Sequence, residues 1–152
     1  MSQVMIIADA VRDTMNAHAF SIPFVAQRAY VPIHEMRGLQ DLAVTVVAKD
    51  IVSPLLDRQG RRLCSYMIDV GIQKIIGSGP MSEDQIAAAN DPLMTLAEEI
   101  IDYFFALDSN SLPGVPECVC TEALNEPIYH PDHVDERRVF TSVITFTFKL
   151  AR

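Results

Sequence analysis

The sequence predicts an α+β fold: one domain over residues 1–152, a mostly antiparallel β-sheet packed against two main helices, in the order α-β-β-β-α-β-β. Three observations lead there. Apolar residues recur at helical spacing near the start and again after Asp91. Several other segments alternate apolar and polar residues with the period of two that a half-buried strand shows. Pro, Gly, Ser and Asn cluster between these segments, where turns belong.

The first helix is carried by Val4, Ile7, Ala8, Val11 and Met15, whose three- and four-residue spacing lays one apolar stripe against a core. Ser21 and Pro23 end it. The stretch "FVAQRAYVPI" reads as a strand up to Pro32, which removes a ladder donor and places it at an edge or a strand end. "LQDLAVTVVAKDI" is apolar on both faces (Leu42, Val44, Val46 and Ala43, Val47), which predicts a central place in the sheet. After a turn at Pro54 and Gly60, "CSYMIDVGIQKI" alternates cleanly: Tyr66, Ile68, Val70 and Ile72 face one way, Ser65, Asp69 and Gln73 the other. These two strands form a hairpin with a long connection.

Ser82 with Gln85 has the spacing of a capping box. Asp91-Pro92 then restarts the helix, as N-cap and first position. Leu93, Leu96, Ala97, Ile100, Phe104 and Leu107 form its buried stripe, and Glu98, Glu99 and Asp102 its solvated side. "SNSLPGVP" reads as a loop and "ECVCTEAL" as a strand. The last strand is "ERRVFTSVITFTFKL", with Phe140, Ile144, Phe146, Phe148 and Leu150 on one face and Thr141, Val143, Thr145, Thr147 and Lys149 on the other.

Bulk properties exclude several classes. The chain has 152 residues, 49% hydrophobic and 21% charged, the profile of a globular domain rather than a disordered tail. Its apolar runs fall short of the roughly 20 residues a spanning helix needs, so no membrane partner is expected. The start "MSQVMIIADAVRD" lacks the basic leader of a signal peptide, which predicts a protein made and kept in a cytoplasm. Twenty acids against twelve Lys and Arg leave a charge of −8, which disfavours tight phosphate binding. Cys64, Cys118 and Cys120 are an odd number, and C-x-C places two of them on one strand face, so buried thiols are expected rather than a disulfide framework.

The one stretch rich in chemistry is "EPIYHPDHVDERRVF", with His130, Asp132, His133, Asp135 and Glu136. A metal-dependent hydrolase would use His130 and His133 as ligands, with one of the acids completing the shell. Against this, H-x2-H lacks the i, i+4 spacing that aims two imidazoles at one ion, and Pro131 stiffens the turn between them. Only His18 and His34 remain as remote donors. The other reading is a polar loop in which Asp and Pro set turns and Arg137 and Arg138 pair with nearby acids. Ser142 lies outside any nucleophile elbow, and "GSGP" lacks the Lys of a phosphate loop. No catalytic, cofactor or metal site is expected, and the chain reads as a non-enzyme.

Association surfaces are better represented. "IVSPLL" sets Ile51, Val52, Leu55 and Leu56 in a connection where water normally selects polar residues, and "EPIYHPDHV" adds Ile128, Tyr129 and Val134. The candidate interface residues are Val52, Leu55, Leu56, Ile128, Tyr129 and Val134.

"AFSIPFVAQRAYVPIHEMRGLQDLAVTVVAKD", "YMIDVGIQK", "LAEEIIDYF" and "NEPIYHPDHVDERRVFTSVITFTF", in that order over nearly the whole chain, resemble the tail terminator or tail completion proteins of tailed bacteriophages. The resemblance implies an α+β subunit of a hexameric ring that caps the finished tail tube and joins the head-side connector. It brings no catalytic residues and no cofactor. Its implied partners are further copies of the chain, the tail tube protein and the connector or stopper protein, in the neck of the virion after assembly in the host cytoplasm. A head-tail stopper or adaptor, or another minor virion protein, is the alternative. In such a ring the genome passes through without specific binding, and the acids Glu83-Asp84 and Asp132 to Glu136 are candidates to line the channel and repel it.

Overall fold

The computed structural model describes residues 2–30, 41–54, 58–126 and 128–151. Helix α1 (Gln3–Asn16) comes first and buries Ile7, Ala8, Val11 and Met15, the stripe that its sequence spacing marks. Strand β1 (Ala26–Arg28) leads to the long strands β2 (Ala43–Val52) and β3 (Leu63–Ile75), then to helix α2 (Glu83–Phe105). A short 3-10 turn and strand β4 (Ser111–Leu112) precede β5 (Val115–Asn125), helix α3 (Pro131–Arg137) and β6 (Val139–Ala151). The strands form one six-stranded sheet in the order β1-β2-β3-β6-β5-β4, antiparallel except for the parallel pair β1 and β2. This is the α+β architecture that the sequence predicts.

One face of the sheet carries the core. Tyr66, Ile68, Val70 and Ile72 of β3 lie beside Ile144, Phe146 and Phe148 of β6, all shut off from water under α1 and α2. Phe104 of α2 anchors that helix with its ring centroid 4.8 Å from that of Phe146. Burying side chains of this size stabilises by roughly 1.5–3 kcal/mol each, so this layer fixes where the helices sit.

The expected central place for β2 is corrected: β3 and β6 occupy the middle, and only the three residues of β1 lie outside β2. Val44, Val46 and Val47 are buried, which accounts for the apolar pattern, but Ala48 to Val52 run on beyond the core with every residue exposed.

Helix α2 does not restart at Pro92. It is continuous over 23 residues, with the capping box formed: Gln85 N–H donates to Ser82 Oγ at 3.2 Å, and Ser82 N–H to Gln85 Oε1 at 2.9 Å. Proline in a helix interior removes a hydrogen bond and crowds the preceding turn. The helix holds because Ile86, Asn90, Leu93, Leu96, Ala97 and Ile100 keep one phase across Pro92, whose ring is exposed.

"SNSLPGVP" is likewise more than a loop. Leu112 pairs with Val115 around Pro113 and Gly114, and Gly114 takes φ +88, which a side chain would resist. The opening of the last predicted strand is also different: Glu136 and Arg137 end helix α3, and β6 starts at Val139 after Arg138 turns the chain at φ 52. Two side-chain bonds hold that left-handed residue, from Arg138 Nε to the Gly79 carbonyl at 3.1 Å and from Nη1 to the Val134 carbonyl at 3.3 Å.

Candidate functional site

The histidine cluster of the sequence lies on α3 and its N-cap, not on a loop. His130 holds the N-cap position without a side-chain capping bond, Pro131 takes the first turn, Asp132 sits in the positive first turn and Arg137 in the last. His130 N–H donates to the Thr141 carbonyl at 2.9 Å, which ties the helix start to β6. The His130 and His133 rings stack, centroids 4.8 Å apart at 29°. His133 Nδ1 is 2.9 Å from Thr141 Oγ1. Burial lowers the His133 pKa from the ordinary histidine value, helped by neighbouring His130 and Arg137 and opposed by Asp132 and Glu136. Asp132, Asp135 and Glu136 are exposed. Among the described residues, no group of three or more His, Cys, Asp or Glu converges to hold a metal ion.

The other singled-out polar residues have structural partners. His18 stacks on Tyr103, centroids 4.0 Å apart, with Phe20 edge-on at 4.7 Å. His34 lies outside the described residues. Glu99 is not simply on a solvated face: its Oε2 accepts from Ser21 N–H at 3.2 Å and Ser21 Oγ at 2.8 Å, tying the segment after α1 to α2. Asp69 is 7% exposed on the second face of the sheet, where Thr145 Oγ1 donates to it at 2.6 Å and Lys49 Nζ stands 3.8 Å away. Ser142 is buried, and its hydroxyl donates to Asn125 Oδ1 at 3.0 Å. A groove beside α1, lined by Ile6, Asp9, Ala10, Asp13, Tyr103 and Gly114, has its acids matched by Arg12, which lies 3.3 Å from Asp9 and 2.9 Å from Asp13; Arg28 adds a contact to Asp9 at 3.4 Å.

The three thiols are buried and free. Cys118 and Cys120 share the core face of β5, and burial pushes their pKa values up to about 12 and about 11, with the neighbouring Cys120 adding to the rise at Cys118.

The apolar candidates separate into two groups. Val134 is 6% exposed, and Tyr129 is half-buried with its ring stacked toward Phe140 at 6.4 Å, so these two pack against their own chain. Val52 and Ile128 are each 52% exposed. Leu55 and Leu56 lie outside the described residues. Two further apolar residues at the open end of the β2–β3 hairpin are exposed: Leu63 at 53%, on the same sheet face as Val52, and Ile51 at 54%, on the opposite face. Their signal was present in "IVSPLL" for Ile51, whereas Leu63 follows two arginines and reads as the first residue of a strand.

No protein-family model matches the sequence, and no curated protein is significantly similar to it. Among solved structures, the fold is weakly similar to one described as the sheath/tube terminator, in its extended state, of the PVC extracellular contractile injection system. The TM-score is 0.42 and the identity 12%, over 99% of this chain and 57% of that one. The chain therefore spans a little over half the length of that protein. A likeness of this strength carries no argument about what this chain does.

Proposed function

We propose that this chain is a structural, non-catalytic subunit that assembles with copies of itself into a ring, most simply a hexamer, which terminates the tail tube of a phage-type particle and joins it to the head-side connector. The observation that supports the reading is the exposure of Val52 and Leu63 on one sheet face, and of Ile51 on the other, at the open end of the β2–β3 hairpin. Large apolar side chains exposed there are suited to contact with another chain, which would remove them from water. The specific place in a tail comes from the sequence resemblance to tail terminators.

In the same reading the acids Glu83 and Asp84, in the first turn of α2, and Asp132, Asp135 and Glu136, on α3, face the channel. These two helices lie near one end of the sheet, where Ile76 N–H donates to the Arg138 carbonyl and Arg138 reaches Gly79. An acidic wall repels duplex DNA over roughly 8 Å at physiological salt.

The test is a particle reconstruction together with a deletion of this chain. A six-fold layer of the chain at the head-proximal end of the tube, with deletion leaving tails unjoined, is the expected result. A layer on the head side of the joint makes the chain a stopper or adaptor. Particles that contain no copy of the chain overturn the reading, and a neutral or basic channel wall overturns the role given to the acids.

A further inference from the structure

Two concavities adjoin on the helix side of the sheet. The first lies between α1 and the turn from β4 into β5, walled by Ile6, Asp9, Ala10, Asp13, Tyr103 and Val115. It holds about 490 Å³, within the roughly 300–1,000 Å³ of clefts that take a bulky ligand. The second shares Tyr103 and adds His18, Phe20, Ser21, Glu99 and Asp102. Together they make one groove with an apolar and aromatic floor and an acidic rim. Arg12 stands beside Asp9 and Asp13, and Arg28 beside Asp9. Glu99 accepts from the neutral Ser21, and Asp102 is exposed. Four carboxylates against two guanidiniums leave the groove negative.

The complementary feature is the open end of the β2–β3 hairpin. Three of the twelve Lys and Arg fall within residues 58–62 (Arg58, Arg61 and Arg62), the densest positive charge in a chain of net charge −8. Asp57 is the one acid in the sequence from Val52 to Arg62. Arg58 and Arg61 are exposed. Arg61 donates to Gln59, and Arg62 Nη1 to Ser53 Oγ at 3.3 Å, so these charges are carried on the hairpin itself. Beside them Ile51 is 54% exposed. It pairs with Tyr66, a core residue, and directly opposite residues on paired strands share a face. Ile51 therefore stands on the side of the sheet that carries the helices, the layer in which the groove lies.

Hairpin end and groove occupy one end of the sheet, on opposite sides of β6. Val52 is level with Ser65, Lys149 and Val119 across β2, β3, β6 and β5. The hairpin connection runs past that row on the β2–β3 side, and the Pro113–Gly114 turn runs past it on the β5–β4 side. A second copy set beside the first in the same orientation brings its groove next to the first copy's hairpin, with no step along the strand direction.

We propose that copies of this chain join head to tail, the basic end of the β2–β3 hairpin of one copy seated in the acidic groove between α1 and α2 of the next. This rests on the ring reading above and names the two surfaces that make the ring. Two different patches meeting form a heterologous contact, which generates a closed ring when the rotation closes. Ile51 meets the apolar wall at Ile6, itself 38% exposed, while Arg58 and Arg61 meet Asp13 and Asp102 at the rim.

The test reverses charge on one surface at a time in the full chain. The hairpin variant carries Arg58→Glu and Arg61→Glu, the groove variant Asp13→Arg and Asp102→Arg, all at exposed positions. Circular dichroism checks that each is folded. Sedimentation of either alone should show self-association weakened roughly tenfold. Mixed in equal amounts, the two should associate again, because each altered hairpin then meets an altered groove and each native hairpin a native groove. Either variant associating like the native chain, a mixture no stronger than its parts, or a native chain that stays monomeric at high concentration overturns the proposal. A second readout needs no charge reversal. Ala17→Cys places a thiol on the exposed wall of the groove, the native thiols being buried. A maleimide should label it several-fold more slowly in the associated chain than in the dilute one, and equal rates overturn the proposal. This pattern without a six-fold layer in particles keeps the docking and removes the proposed place in a tail. A six-fold layer whose copies meet elsewhere removes the docking and keeps the ring.

Discussion

His133 Nδ1 lies 2.9 Å from Thr141 Oγ1 and so fastens α3 to the start of β6. Burial, first, and then the neighbouring charges of His130 and Arg137 hold the His133 pKa below its ordinary value of 6.5, against the opposing pull of Asp132 and Glu136. The unfolded chain therefore binds this proton more readily than the folded one. Stability contributed by neutral His133 is present above about pH 6.5 and falls as the pH drops from there through the lowered folded value. Thermal unfolding from pH 7 to pH 5 should show a smaller acid loss in His133→Gln than in the native protein. Superimposable profiles would refute this.

The same contact bears on metal chemistry. With Nδ1 engaged by Thr141, His133 keeps only Nε2 for a ligand, and the His130 ring stacks on it rather than converging with it. Elemental analysis of the purified protein should find zinc and manganese far below one per chain, unchanged in His133→Ala. Near-stoichiometric metal that disappears in His133→Ala would restore the hydrolase reading.

Replacing Ile51 and Val52 together with Ser changes residues that are more than half exposed, so folded stability should move by no more than about 0.5 kcal/mol per site. Assembly should fail. Circular dichroism and a mass measurement of the assembled state check the two halves separately, and unimpaired assembly would take the hairpin tip out of the interface.

Asn16→Ala removes both side-chain bonds to the Ala26 backbone, a residue only 2% exposed. Leaving these buried groups unpaired costs about 1–3 kcal/mol. The unfolding midpoint should fall by several degrees, and an unchanged midpoint would mean that water replaces the amide.

Periodicity made the framework legible. The stripe from Ile7 to Met15 and the alternation from Tyr66 to Ile72 are each written within one element, and both appear as read. What depended on distant partners was not legible. The sequence marks Asp69 only as a polar residue on one strand face, because Thr145, which donates to it, is 76 residues away. Asn16 closes a strand edge that sequence spacing does not reveal. Helix α3 is seven residues long, too short for a stripe, yet Pro131, Asp132 and Arg137 were its end signals in plain view. Pro and Asp are equally at home in turns, so in so short a segment these residues do not distinguish a helix from a polar loop. At Pro92 the apolar spacing does not separate a restart from an uninterrupted helix, since the two share one phase.

The burial of Cys118 and Cys120 also bears on how the protein ages. With a pKa pushed to about 12, only on the order of one Cys118 side chain in 100,000 is a thiolate at neutral pH. Oxidants and alkylating reagents act on that form, so burial slows their attack on both sulfurs of this strand. The β5 thiols thus add packing volume to the core without adding a readily ionised sulfur.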